Sequence, residues 1–261
     1  MTDVHIIDTN AGNILEHGIC GYKSLKRPGF PQKVEWLKAR IDEGLKVRTL
    51  YSEKDGAQGM IEYIPGEFCW RPVAAAGYTF IHCLFVGFKK HYKGRGYASR
   101  LIDECCRDAS SSGRRGVAVV TRKGPFMVGK EIFTKPGFEV VDHAAPDFEL
   151  LIKRFDRRGA IPRFNHGWEQ RRKQYGRGLT VIRADQCPYT VKNVDEIRLS
   201  AVGEFQLQPR VITLSNHLEA QNSPGPFGTF AILYDGELIA EHPISRTRFR
   251  NIMDRVIHGQ C

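Results

Sequence analysis

Residues 79–102 read TFIHCLFVGFKKHYKGRGYASRLI, and the fold turns on them. The apolar run from Phe80 to Phe88 has the length and composition of a buried strand. A basic, glycine-bearing turn follows (Lys93, Gly94, Arg95, Gly96, Tyr97, Ala98), and beyond it Leu101, Ile102, Cys105 and Cys106 recur at helical spacing. A strand that enters a helix through such a turn gathers several backbone N–H groups at the positive end of the helix dipole. Gly96 and Ala98 are small enough to let a phosphate approach the main chain, and Lys93 and Arg95 supply countercharge. The pattern predicts a phosphate-rich ligand. A turn whose basic residues are merely solvated is the plainer alternative.

The turn is not a P-loop, because no Gly-Lys-Ser/Thr closes it, and its glycines miss the offsets of the dinucleotide-binding fingerprint. Downstream, residues 116–121 (GVAVVT) read as the next buried strand and residues 126–133 as a helical segment. That segment ends in Phe133-Thr-Lys-Pro-Gly-Phe138, where Pro136 lacks a donor and Gly137 tolerates positive φ. The spacing Lys93-x-x-Gly96-x-Ala98 resembles the acetyl-CoA signature of the GCN5-related N-acetyltransferases (GNATs), Q/R-x-x-G-x-G/A, with Lys93 in place of Gln or Arg. The block from Phe133 to Phe138 resembles the F/Y-x-K-x-G-F that ends a helix of the same family.

Composition sets the frame for this resemblance. At 261 residues, with 41% hydrophobic and 10% aromatic content, the chain is globular and long enough for two domains. No apolar run reaches the roughly 18 residues that suggest a membrane span, and the start, MTDVHIIDTN, lacks the pattern of a signal peptide. Seven cysteines, Cys105 and Cys106 adjacent among them, argue against a disulfide framework and for a reducing cytoplasm. Cys20, Cys69, Cys105, Cys106 and Cys261 show no C-x-x-C spacing, so no metal site is expected. The net charge of +10 is concentrated before residue 179, with seven Lys/Arg against two Asp/Glu in residues 156–178. Such a field suits a polyphosphate cofactor. Nucleic acid is not expected, because no recognition-helix, zinc-finger or RNP-type pattern accompanies the charge.

Residues 156–178 read as a basic linker with a short helix from Trp168 to Tyr175, packed on its neighbours through Phe164, Trp168 and Tyr175. From Leu179 a second pattern unfolds: a strand to Ala184, a helix opened by Cys187-Pro-Tyr-Thr190 and running to about Phe205, and a strand from Pro209 to Leu214. A short helix near residues 217–221, two strands joined at Asp235-Gly236, and a last helix from Ser245 to about Ile257 follow. This β-α-β-α-β-β-α order resembles the thioredoxin fold, with Cys187 in the place of its nucleophilic cysteine. Thr190 stands where the resolving cysteine would be, and Gly228 where the cis-proline would be, so a structural or binding role competes with a redox one.

Nearly the whole chain resembles the YoaP-type GNAT proteins, in which an acetyltransferase domain precedes a thioredoxin-like domain. IEYIPGEF (61–68), GVAVVTRKG (116–124), DQCPYT (185–190), PFGTFAILYDGEL (226–238) and HPISRTRF (242–249) carry that similarity. The expected fold is α/β: a GNAT domain over residues 1–155, with a mixed central sheet flanked by helices, and a thioredoxin-like α/β/α domain over residues 179–261. The resemblance implies acetyl transfer from acetyl-CoA to an unidentified amine; no membrane partner is expected, and a second copy of the chain is a candidate partner. It implies pantetheine contacts from the main chain of Leu84, Phe85 and Val86 and pyrophosphate contacts from Lys93, Gly94, Arg95, Gly96, Tyr97 and Ala98.

Direct attack by an amine requires orientation, a proton acceptor and a fate for the thiolate. Phe133 holds the place where many GNATs carry an acidic Tyr, so the proton donor is unassigned. Glu62 and His82 interrupt apolar strand patterns and are the candidate bases, with Glu67 a third. A packed core histidine and a strand-edge glutamate are the alternatives. Strand alternation points Cys83 away from His82. Cys187 is the third catalytic candidate. The competing functions are a thiol-dependent redox or binding protein whose GNAT half only binds CoA, and a CoA-responsive binding module.

Overall fold

The structure is a computed structural model that describes residues 4–259. Cys261 therefore lies outside the described residues. The chain divides into two compact units, Met1–Cys69 with Val73–Asn165, and Trp70–Pro72 with His166–Cys261. Both are α/β with mixed sheets, as expected.

The first unit opens with β1 (Val4–Thr9), α1 (Ile14–His17), α2 (Phe30–Arg40), β2 (Lys46–Ser52) and β3 (Gly56–Pro65). A short β4 (Val73–Ala74) precedes β5 (Thr79–Val86), α3 (Tyr97–Ser111), β6 (Gly116–Thr121), α4 (Glu131–Thr134), β7 (Glu139–Ala144), β8 (Phe148–Arg154) and β9 (Arg163–Phe164). Seven strands form one sheet in the order β1-β2-β3-β5-β6-β8-β7. Its pairs are antiparallel except β5 with β6, whose parallel alignment needs a crossover, which α3 provides.

The stripe that makes α3 amphipathic is Leu101, Ile102, Cys105, Cys106 and Ala109, all buried. It packs on Leu50, Ile61, Tyr63, Ile81, Leu84, Val117, Val119 and Leu151, closed at one side by Phe133 and Phe138. Each such fully buried aliphatic side chain is worth about 1.5–3 kcal/mol, so this layer fixes α3 against the strands that flank its two ends. Asp108 ties the same helix to the sheet by accepting from Tyr63 Oη and Arg48 Nη2 and pairing with Lys46.

Two local expectations need correction. The strand ends at Val86 rather than Phe88, because Gly87 turns the chain at φ 99°. The helical reading of residues 126–133 holds only for Glu131–Thr134. Gly124, Pro125 and Gly129 interrupt the run, and Phe126 takes φ 66°, so the apolar spacing there reflects an irregular chain. Cys105 and Cys106 are core residues, and burial pushes both thiols up.

The second unit contains α5 (Trp168–Arg172), β10 (Leu179–Arg183), α6 (Tyr189–Phe205), β11 (Arg210–Thr213), α7 (His217–Gln221), β12 (Phe230–Tyr234), β13 (Glu237–Ala240) and α8 (Arg246–His258). Its sheet runs β11-β10-β12-β13, with β10 parallel to β11 and the other pairs antiparallel. Asp235 and Gly236, both at positive φ, make the tight turn between β12 and β13. Gly228, at φ 83°, is required for a second reason: a Cβ there would lie 3.0 Å from the Arg71 Cα and 3.1 Å from the Trp70 carbonyl oxygen. Arg71 Nη1 donates to Thr229 Oγ1 at 2.7 Å, and its guanidinium lies over the Phe227 ring. Among the described residues no helix is long and apolar enough to cross a membrane.

Candidate functional site

The central feature is a fork in the sheet. β5 and β6 pair only from Thr79 to Ile81 against Val117 to Val119. Beyond that point β5 continues to Val86 against β3 alone, and β6 continues to Thr121 against β8 alone. Main-chain donors and acceptors on the β6 side of His82 to Val86 thus face no strand, and such groups demand partners. The fork begins at a bulge: Glu62 pairs with Cys83 and Tyr63 with Ile81, which leaves His82 as the extra residue of β5. An extra residue bends its strand and increases its twist.

A cavity of about 320 Å³ opens beside the outer part of the fork. Leu84, Phe85, Val86, Lys93, Gly94, Arg95, Gly96, Tyr97 and Ala98 all line it, joined by Tyr92, Ser99, Val128 and Ile132. The structure thus gathers every residue that the sequence suggested for a cofactor around one space. Gly94 and Gly96 sit at φ 71° and 75°, and Gly96 is the N-cap of α3. A Cβ at either would meet nothing within 4 Å, so conformation and an open approach, not crowding, require glycine. The first turn of α3 carries no acidic side chain, so its N–H groups keep their capacity for an external anion. The stem of Lys93 lies across Gly87, where a Cβ would clash with the Lys93 Cγ.

The approach to this turn is clamped by Asp55, in the β2–β3 connection. Its carboxylate accepts from Lys89 Nζ at 2.6 Å and Tyr92 Oη at 2.9 Å and lies 3.2 Å from His91 Nε2. Hydrogen bonds from Lys89 and then Tyr92 hold that carboxyl below the ordinary range. Sequence reasoning did not single out Asp55, because its partners lie more than thirty residues away.

Glu62 and His82 come together, and with them a residue that the sequence reading missed. Lys33 of α2 bonds Glu62 Oε2, while His82 Nδ1 stands 3.4 Å from Oε1. All three side chains are fully enclosed. The Lys33 ammonium lies 4.2 Å over the Trp36 ring, which is 6.2 Å from the imidazole. Burial pushes the Glu62 carboxyl up, but the charge of Lys33 and the neighbouring His82 outweigh it and hold the group at about 2. Lys33 sits in the buried stripe of α2 with Phe30, Val34 and Leu37, a place where helical spacing asks for an apolar side chain.

The other candidates fall elsewhere. Glu67 receives Arg114 Nη1 on both oxygens, at 3.0 and 2.9 Å, and the Gly77 N–H at 3.0 Å, which ties down its loop. Phe133 is a core residue whose ring meets Phe138 at 5.4 Å. Cys187 belongs to the second unit and precedes Pro188, the N-cap of α6. Its carbonyl accepts from the Thr190 N–H at 3.2 Å and from Thr190 Oγ1 at 2.8 Å, and Thr190 is buried.

Comparison with known proteins gives the following. A family model described as YoaP-like matches residues 210–251. The uncharacterized N-acetyltransferase YoaP of Bacillus subtilis (strain 168) is 31% identical over 252 residues, covering 95% of this chain and 98% of the relative. Among solved structures, a GNAT-family N-acetyltransferase of Escherichia coli in complex with CoA aligns with a TM-score of 0.41 and 12% identity, over 63% of this chain and 91% of that one. An N-acetyltransferase of Thermoplasma acidophilum in complex with coenzyme A gives a TM-score of 0.41 and 16% identity, over 59% and 99% respectively.

Proposed function

The chain belongs to the YoaP-like family, and from that premise we propose that it is an acyltransferase that moves an acetyl group from acetyl-CoA to an amine. The observation that carries this reading is the single cavity that joins the unpaired edge of β5 to the glycine turn at the start of α3. Backbone N–H groups of residues 94–98 and the α3 dipole take the pyrophosphate, with Arg95 and Lys93 as countercharge. The unpaired main chain of Leu84 to Val86 bonds the pantetheine arm, which leads the acetyl end back along β5 toward the fork.

At the fork the acceptor nitrogen attacks the thioester carbonyl carbon, the C–S bond breaks and the sulfur leaves as CoA thiolate. Fixing both reactants in one geometry supplies several kcal/mol of the rate enhancement. The acceptor ammonium sheds its proton to solvent at the open cleft, because the His82 ring is enclosed and does not line the cavity. A thiol is acidic enough to leave tolerably as its anion, so the reaction does not need an acid in the place of Phe133.

The same reading takes residues 156–178 as a linker and the second unit as thioredoxin-like. The element order and the strand order β11-β10-β12-β13 support that assignment. With Thr190 where a resolving cysteine would stand, the second unit serves for binding or support rather than a dithiol cycle. A cytoplasmic setting rests on the odd cysteine count.

Calorimetry with the purified chain tests the proposal. Acetyl-CoA is expected to bind, and Gly96→Asp to abolish binding while circular dichroism stays unchanged. Absence of binding to the natural chain, or full retention in Gly96→Asp, overturns it.

A further inference from the structure

Asp55 lines a second cavity, of about 270 Å³, between the α1–α2 connection and the chain that leaves β5. One wall is the turn Ile19-Cys20-Gly21-Tyr22, closed by two backbone bonds of 2.9 Å between Ile19 and Tyr22. Cys20 and Gly21 take φ 53° and 79°, the pattern of a tight twisted turn. Phe88 lies against Gly21, where a Cβ would stand 2.9 Å from its ring. Gln58, 2% exposed, lines the same space. Its Oε1 accepts from the Lys89 N–H at 3.2 Å and its Nε2 donates to the Asp55 carbonyl at 2.8 Å. Its second amide N–H has no acceptor among the described residues.

The charges around this space do not cancel. Asp55 is the one carboxylate that lines it, and both of its oxygens are taken, Oδ1 by Lys89 Nζ and Oδ2 by Tyr92 Oη. Lys23 stands beyond that group. Its ammonium reaches the β2–β3 hairpin, 3.5 Å from where a Gly56 Cβ would lie, and no carboxylate meets it among the described residues. A spare positive charge and a spare N–H, beside the apolar surface of Phe88, Ile19 and Ala57, suit a small anion with an apolar body. We propose that this cavity binds a small organic carboxylate, held by Lys23 and Lys89, and that its occupation weakens acetyl-CoA binding. The coupling, though not the site, rests on the acetyl-CoA reading given above. A carboxylate on Lys89 competes with Asp55 for that ammonium, and Asp55 also holds Tyr92, which lines the cofactor cavity. The added negative charge opposes the positive field that receives the pyrophosphate. Phe88 is a second link, its ring 4.5 Å from that of Phe85 on the cofactor cavity.

Calorimetry on the full chain without cofactor tests the site, with phenylacetate as the probe and phenylacetamide, which shares its body and lacks its charge, as the comparison. Phenylacetate is expected to bind and phenylacetamide to bind at least about fivefold more weakly. Lys23→Gln, at an exposed position, should weaken phenylacetate about fivefold with the melting temperature unchanged. Gly96→Asp should leave phenylacetate binding intact, because Gly96 belongs to the other cavity. Saturating phenylacetate should raise the Kd of acetyl-CoA about fivefold and no further, and acetyl-CoA should raise that of phenylacetate by the same factor. No saturable binding of phenylacetate, equal binding of the amide, or full affinity in Lys23→Gln overturns the site. Loss of phenylacetate in Gly96→Asp with retention in Lys23→Gln puts the anion on the cofactor turn and is equally fatal. Independence of the two ligands overturns the coupling. If the natural chain binds no acetyl-CoA, the acetyltransferase reading and the coupling fall together, while the phenylacetate arms still decide the site.

Discussion

Replacing Glu62 by Gln should weaken the first unit in a way that depends on pH, and the dependence can be worked from the site. The carboxyl titrates near its ordinary value of 4.5 in the unfolded chain and at about 2 in the folded one, held there by Lys33 and His82 against the effect of burial. A depressed carboxyl stabilises the fold above its unfolded pKa and loses that stabilisation as pH falls through the folded value. At about 1.4 kcal/mol per tenfold difference, the gap contributes about 3 kcal/mol above pH 5, roughly half of that at pH 3, and nothing well below pH 2. The amide cannot pair with the enclosed Lys33 ammonium, so Glu62→Gln should cost about 3–5 kcal/mol at pH 7, a fall of about 6–20 °C in the melting temperature of a unit of this size. Urea unfolding followed by tryptophan fluorescence, with Trp36 reporting on the first unit, measures the difference between the two proteins from pH 7 to pH 3. Asp55 and Asp108, also depressed, are common to both and cancel. The difference should shrink by about 2 kcal/mol over that range. A constant difference, or a cost at pH 7 under 1 kcal/mol, would refute the reasoning.

The remaining predictions concern the cofactor turn and the second unit. Asp55→Asn should loosen Lys89, His91 and Tyr92 and weaken acetyl-CoA binding several-fold with little change in melting temperature; unchanged calorimetric affinity rejects the clamp. Gly94→Ala meets no neighbour, so its cost should be limited to about 1–2 kcal/mol of left-handed backbone strain, read by urea unfolding. Cys187→Ser should leave acetyl-CoA binding unchanged by calorimetry, and a large loss would favour a thiol-dependent role.

What the sequence made legible was local. The glycine turn could be read because its chemistry lies within six residues, and the hairpin at Asp235-Gly236 because two positive φ values are written into two adjacent residues. Residues 126–133 misled because apolar spacing alone does not distinguish a helix from an irregular chain that packs, and Gly124, Pro125 and Gly129 were the better guide. Glu62 and His82 stood out as polar residues in apolar strands, but their meaning did not. That depended on Lys33, which arrives from a helix twenty-nine residues before Glu62. The stripe of Phe30, Val34 and Leu37 contained the signal, since Lys33 falls on its buried side. The fork was unreadable for a different reason: where β5 stops pairing with β6 depends on two strands separated by all of α3.

His82 links these features through its position rather than its chemistry alone. The residue as a whole is 7% exposed while its side chain is 0% exposed, so the accessible part is main chain. As the extra residue of β5, it stands where β5 loses its β6 partner. Its ring therefore belongs to the enclosed cluster, while the cavity lining begins two residues further along β5, at Leu84. An extra residue disrupts the ladder locally, and a secure place for its side chain helps to hold it. The contact with Glu62, itself fixed by Lys33, supplies that place on the α2 side of the sheet. The pair of Lys33 with Glu62 thus also helps to anchor the bend at the fork.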